Sequence, residues 1–266
     1  MRQAAIPRAA LGLRSSEDYT DPADAPRIAT IYNGLGGRGQ FVLFRKGDPE
    51  GNRWLDNEPL LIDWSKANVL WLFANSSRAE SGMPVIRNAQ LYFTCGVTWT
   101  AVANHVAMKA RYQEPCVFDA DSMRLTPRAD VFPTLAFLSL LNSDVVSFIK
   151  MKLIKHTQKW EIGDLRQIPL VMPTKAQAQR FEMLTTCAME AKRLTFTAAA
   201  VPHVLAANVR ELSQLLLNAG PTYLRPSGQT MLLTTAADCL HILELAVNWE
   251  AERLYGVEGL GLFDDF

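Results

Sequence analysis

The stretch Leu138 to Met172, LSLLNSDVVSFIKMKLIKHTQKWEIGDLRQIPLVM, carries the most position-specific pattern in the chain and decides how the rest is read. Phe137, Leu138, Leu141, Val145, Phe148 and Ile149 recur at spacings of three and four, the period of one helix face. Asn142-Ser143-Asp144 interrupts that stripe, so the spacing predicts a helix, a tight corner and a second helix. Asn142 suits the left-handed residue that closes the first helix. Ser143 or Asp144 offers the side-chain oxygen that caps the second. A polar, basic run with one aromatic, Lys155 to Trp160, then leaves the corner, and Ile168-Pro169-Leu170-Val171-Met172-Pro173 brings the chain back to the body.

Downstream of Pro173, Thr174-Lys175-Ala176-Gln177 has the form of a capping box. The helix it opens carries Ala178, Phe181, Leu184, Ala188, Ala191 and Leu194 on one face, and Lys175, Arg180, Lys192 and Arg193 on another. A second helix from about His203 stops at Gly220-Pro221, and a third from about Thr235 to Tyr255 closes on Gly256. Their apolar faces must pack on each other or on a partner, which predicts a helical C-terminal unit and a domain break near Pro173.

Upstream, apolar runs are short and broken by turn residues: Phe41 to Phe44, Leu60 to Trp64, Val69 to Phe73, Leu91 to Thr94 and Cys116 to Phe118. That is the spacing of a β-meander, and Trp54, Trp64, Trp71 and Trp99 fall inside it, most of them as expected core. Arg27 to Tyr32 reads as one more strand, and residues 1–26 as a loosely ordered N-terminal stretch. The expected fold class is α+β: a β-rich domain over residues 1–172, then a helical spacer and C-terminal helical unit over 173–266.

A chain of 266 residues, 48% apolar and 20% charged, has ordinary globular composition and buries a substantial core. The longest apolar run, around Val131 to Leu141, contains Pro133 and is too short for a bilayer, so no membrane role follows. The N-terminus does not read as a signal peptide. Cys95, Cys116, Cys187 and Cys239 are scattered without CxxC pairing, which points to reduced thiols in a cytoplasmic protein. The four histidines are equally isolated, and no metal site is expected from these residues. Net charge is zero but segregated: Val145 to Arg193 has nine Lys/Arg against four Asp/Glu, and Ala236 to Phe266 has one basic and seven acidic residues.

Leu140-Leu141-Asn142-Ser143, followed by Gly163-Asp164-Leu165-Arg166-Gln167-Ile168-Pro169 and a Gln-containing helix, resembles the target-recognition region of adenine-specific DNA methyltransferases. The likeness is to the phage-defence enzymes of BREX and DISARM type and to TaqI-like restriction-modification enzymes, and the same cadence is similar to the specificity subunits of type I restriction systems. Phe44 to Trp54 with Ile62-Asp63-Trp64, and Gln90 to Trp99, add to it. The resemblance covers roughly residues 11 to 195, with an echo at Val247-Asn248 and Leu254-Tyr255-Gly256. It implies a module that binds double-stranded DNA beside a methyltransferase catalytic domain or subunit. The basic corner would clamp phosphates, and loops of the β-rich part would read bases, since arginine can bridge guanine O6 and N7. Arg38, Arg45, Lys46, Arg53, Arg87, Lys109, Arg111, Lys155, Lys159 and Arg166 are the DNA-contacting candidates.

Catalysis is not expected of this chain. An adenine methyltransferase needs a polar residue followed by Pro-Pro and an aromatic to hold the flipped base, and the sequence contains no Pro-Pro dipeptide. Gly34-Leu35-Gly36-Gly37-Arg38-Gly39 matches G-x-G-x-x-G, but Gln40 to Arg45 leads out as β-formers rather than as the helix that meets a cofactor's phosphates. No catalytic residue and no cofactor are therefore assigned here. S-adenosylmethionine is expected in the catalytic domain that this sequence lacks. The alternative is a protein-interaction or assembly domain that docks a methyltransferase or another defence subunit without touching DNA, a reading favoured by the overall charge balance.

Overall fold

The computed structural model describes residues 24–48, 51–56, 60–76, 78, 80, 82–127, 132–226, 233 and 235–259. In chain order the elements are α1 (Ala25–Asn33), β1 (Phe41–Arg45), β2 (Leu60–Asp63), α2 (Lys66–Asn75), β3 (Gly96–Thr100), β4 (Arg111–Gln113), β5 (Val117–Phe118) and β6 (Ser122–Leu125). Then come α3 (Thr134–Leu141), α4 (Asp144–Phe148), a π-helical turn (Ile149–Ile154), α5 (Ile162–Leu165), α6 (Lys175–Thr197), α7 (His203–Ala219) and α8 (Ala236–Tyr255). The α+β class is thus as expected. Residues 1–23, most of the expected N-terminal stretch, lie outside the described residues. Among the described residues no single helix is long and apolar enough to cross a membrane.

The chain forms two compact units that interleave in sequence. Among the described residues, one takes those within 24–47, 60–95 and 113–122, and the other takes those within 48–56, 96–112 and 123–259. In the first, β1 is central, antiparallel to β2 with Phe41 opposite Asp63 and parallel to β5 with Phe44 opposite Val117. Trp64 centres its small core, meeting the rings of Tyr92 and Phe93 edge-on at 5.9 and 5.8 Å. The segment expected as a strand at Arg27 to Tyr32 is instead helix α1. Ile28, Ile31 and Tyr32 stand at helical spacing with Ile31 wholly buried, Pro26 opens the helix, and the Trp64 indole donates to the Thr30 carbonyl at 2.8 Å. Val69 to Phe73 is also helical, in α2, because burying Val69 and Phe73 together needs an i, i+4 spacing. Ala89–Leu91 is a 3₁₀ turn, so the expected strand at Leu91 to Thr94 does not form. Of the four tryptophans in this stretch Trp71 is 50% exposed, while Trp54, Trp64 and Trp99 are buried.

In the second unit β3 lies between β4 and β6, and helices α3, α6, α7 and α8 supply most of the core. Thr174 and Gln177 close the capping box of α6, and Gly256 at φ 66° ends α8, both as the sequence predicts. No division between the units falls at Pro173. The apolar stripe of α6 is what α3 packs on, and a buried polar clasp joins them: the Ser139 hydroxyl donates to Phe181 O at 3.1 Å, and the Thr185 hydroxyl donates to Leu135 O at 2.8 Å.

Candidate nucleic-acid interface

The corner that opened the sequence reading is a fastening point in the second unit. Asn142 is right-handed, φ −80° and ψ −2°, rather than left-handed as expected. Its amide accepts from Ala110 N at 2.7 Å and donates to Ala110 O at 3.0 Å, a pairing that fixes the residue without a left-handed turn. Of the two cap candidates, Ser143 caps α4, accepting from Val146 N at 3.4 Å and donating to Leu140 O at 2.7 Å. Asp144 is occupied elsewhere: Asn248 donates to its carboxylate and accepts from its backbone N–H at 2.9 Å. Ser147 Oγ accepts from Met108 N at 2.9 Å, so the polar residues of this stretch hold the segment 108–110 in place.

The basic loop is bolted to the same body through Trp160. Its backbone N–H donates to Ala101 O at 2.8 Å, its indole donates to Val106 O at 3.1 Å, and its carbonyl accepts from the Trp99 indole at 3.0 Å. Lys150, wholly buried in the π-helical turn, donates to the Thr157 carbonyl and lies 4.9 Å from the Trp160 ring centre. Burial pulls its pKa below the ordinary lysine value. The cations of the loop are already engaged: Lys155 meets Glu161 at 2.9 Å and Asp164 at 3.9 Å, and Lys159 meets Glu161 at 2.7 Å. The hydrogen bonds from Lys159 and Lys155 hold the Glu161 carboxyl at about 2. Arg166 is exposed just past α5.

The other candidates divide between the units. Arg38, Lys46 and Arg87 are exposed on loops of the first, and Arg45 there pairs with Glu114 at 3.7 Å. Arg38 lies in the glycine-rich loop, which runs from helix α1 into strand β1, the reverse of the strand-to-helix order of a dinucleotide loop. In the second unit Arg111 is 1% exposed and 3.3 Å from Asp48, so it works inside the fold rather than on its surface.

Arg53 and Lys109 do come together. Arg53 Nε donates to Met108 O at 3.4 Å, and its terminal nitrogens stand 3.8 Å from Glu244 and 4.0 Å from Asp144. Beneath it the buried Trp54 donates its indole N–H to Glu244 at 2.9 Å. Gly51 (φ 71°) makes room, since a Cβ there would collide with His105 Nε2 and stand 2.7 Å from Lys109 Cδ. The His105 imidazole bonds to Ala107 O at 2.8 Å through Nδ1, and its pKa is lowered, chiefly by burial. The Lys109 pKa is lowered, first by burial and next by the charge of Arg53, while Lys192 of α6 is half-buried with its pKa lowered chiefly by burial. Sequence reading set Lys192 on the outer face of α6 but not among the DNA candidates, and Glu244 gave no local signal at all.

No protein-family model matches this sequence, and no curated protein matches it.

Proposed function

We propose that the chain is the DNA sequence-recognition module of an adenine-specific (N6) DNA methyltransferase in a restriction-modification or phage-defence system. On this reading it is not catalytic itself. Methyl transfer, with its S-adenosylmethionine, belongs to a catalytic domain or subunit that it serves. The observation that carries the reading is the likeness of Leu140 to Ser143 and of Gly163 to Pro169 to the recognition regions of such enzymes. It is supported by the work of this stretch: Asn142 and, just beyond it, Ser147 anchor segment 108–110, which carries Lys109 and takes a hydrogen bond from Arg53.

DNA phosphates recruit cations by releasing condensed counterions, so binding must weaken steeply with salt. A fluorescently labelled duplex titrated with the full chain between roughly 50 and 200 mM salt should show log affinity falling linearly with log salt concentration. Affinity that ignores ionic strength, or no binding at low salt, rejects the reading.

One feature favours the alternative of a protein-docking domain. On the first unit's sheet, Phe41, Leu43 and Leu61 share a face, and Phe41 and Leu61 are each 61% exposed. That surface suits a protein partner better than a phosphate, and the salt series separates the two readings.

A further inference from the structure

In the second unit α8 meets the short 3₁₀ turn Thr222–Leu224, and the chain that leaves α8 folds back over that meeting point. Tyr223 of the turn donates its hydroxyl proton to Glu252 Oε2 of α8 at 2.6 Å and accepts from Gly259 N at 3.1 Å. We propose that Glu252 and Tyr223 form a proton-operated latch: while Glu252 holds a proton, residues 256–259 stay fastened to the body, and when the proton leaves they lift. This goes beyond the DNA reading and does not depend on it.

The returning chain is held by printed steps of one path. Gly256, at φ 66°, reverses it at the end of α8, and Val257 N donates to Glu252 O at 3.0 Å. The Trp249 indole then donates to Glu258 at 2.5 Å, and Gly259 closes on the Tyr223 hydroxyl. The Glu252 side chain within this arrangement is 1% exposed. Its Oε2 takes the tyrosine bond, while its Oε1 is buried with no donor among the described residues. Arg253, next to it on α8, and Arg180 of α6 both go to Glu250, at 3.3 and 3.1 Å. Arg225, just past the tyrosine turn, donates to Gly220 O at 3.4 Å, so none of the three pairs with Glu252.

An ionised carboxylate with one donor is costly in such a place, because its second oxygen gives up water and gains no protein partner. Burial accordingly raises the Glu252 pKa above the ordinary carboxylate value; the bond from Tyr223 opposes the rise, and the charges of Glu258 and Asp144 add to it. Tyr223 is itself pushed up to about 12, first by burial and then by its bond to Glu252, so it remains a donor wherever a carboxyl titrates. A folded pKa above the unfolded one gives stability that is fully present below the unfolded value and is lost as pH rises through the folded value. Lifting residues 256–259 opens Oε1 to water and carries Glu258 away. The ionised carboxylate therefore favours the open arrangement, and the protonated one the closed.

The test is amide hydrogen exchange in the full chain. Protection of Val257 and Gly259, corrected for the intrinsic pH dependence of exchange, should fall as pH rises above the ordinary carboxylate range. The fall should be on the order of tenfold for each unit by which the Glu252 pKa differs between closed and open arrangements. The ¹³C resonance of the Glu252 carboxyl follows the titration directly and should move at the same pH as the loss of protection. Glu252→Gln, which stays neutral, should keep Gly259 protected throughout, and Tyr223→Phe should leave it unprotected throughout, with circular dichroism matching the wild type in both. Wild-type protection that is flat with pH, or that falls away from the Glu252 titration, overturns the latch whether or not the variants fold. A folded Gln variant that loses protection with pH as the wild type does overturns it too.

Discussion

Two groups of cations in the same unit are held in opposite ways. Lys155 and Lys159 stand on a loop and converge on one carboxylate, Glu161, which their hydrogen bonds keep ionised far into acid. Arg53 and Lys109 are half-buried beside one another, with carboxylates near Arg53 that also serve other partners. A pair on an exposed loop contributes little to stability and is screened by salt. Cations crowded where water is scarce carry a penalty that an incoming anion removes. A run of positive residues in sequence is therefore not the same thing as a positive surface.

The largest effect should come from removing the floor of the crowded group. Trp54 is fully buried, pairs with Ala110 and Tyr112 through its backbone, and holds Glu244 through its indole. Trp54→Ala should cost about 3–5 kcal/mol in chemical denaturation, as for other large-to-small substitutions of buried aromatics. A loss under about 1 kcal/mol would mean that the cluster does not rest on it.

The loop group can be sharpened rather than broken. Glu161→Gln keeps an acceptor for the cap of α5 but removes the charge that answers Lys155 and Lys159. If the chain binds duplex DNA, this variant should bind roughly two- to tenfold more tightly and with a salt dependence steeper by about one. Unchanged affinity would show that these lysines do not meet phosphates and would leave the crowded group as the sole contributor of the two.

The smallest effect is a pH dependence in the crowded group. Burial first, and then the charges of Lys109 and Arg53, pull the His105 pKa down, against its bond to Ala107 and the charge of Asp48. The ordinary value is about 6.5, so on acidification the unfolded chain takes up this proton before the folded one. The stability His105 confers is thus present in full above that pH and falls away below it. Melting temperatures at about pH 7.5 and 5.5 should drop more in the wild type than in His105→Gln. Equal drops would place the pH sensitivity elsewhere.

What the sequence could tell about these groups was set by how local each signal is. The start of α6 at Thr174, the end of α8 at Gly256 and the Ser143 cap of α4 were legible because a cap is a bond between residues three or four apart. Short apolar runs were not legible in the same way. Ile28 to Tyr32 and Val69 to Phe73 suit a strand by composition, and the choice of helix is tied to how Ile31, Val69 and Phe73 pack beside Trp64, a long-range contact.

The sequence by itself thus determined the α+β class, the ends of the long helices and the helix-corner-helix around Asn142. Tertiary structure alone decided that Asn142 clasps Ala110, that Arg111 turns inward to Asp48, and that Arg53 stands between Asp144 and Glu244. Caps and periodicity are written within a few neighbouring residues. The partner of a charge is set by which distant segments the fold closes together, and no short stretch of sequence contains that information.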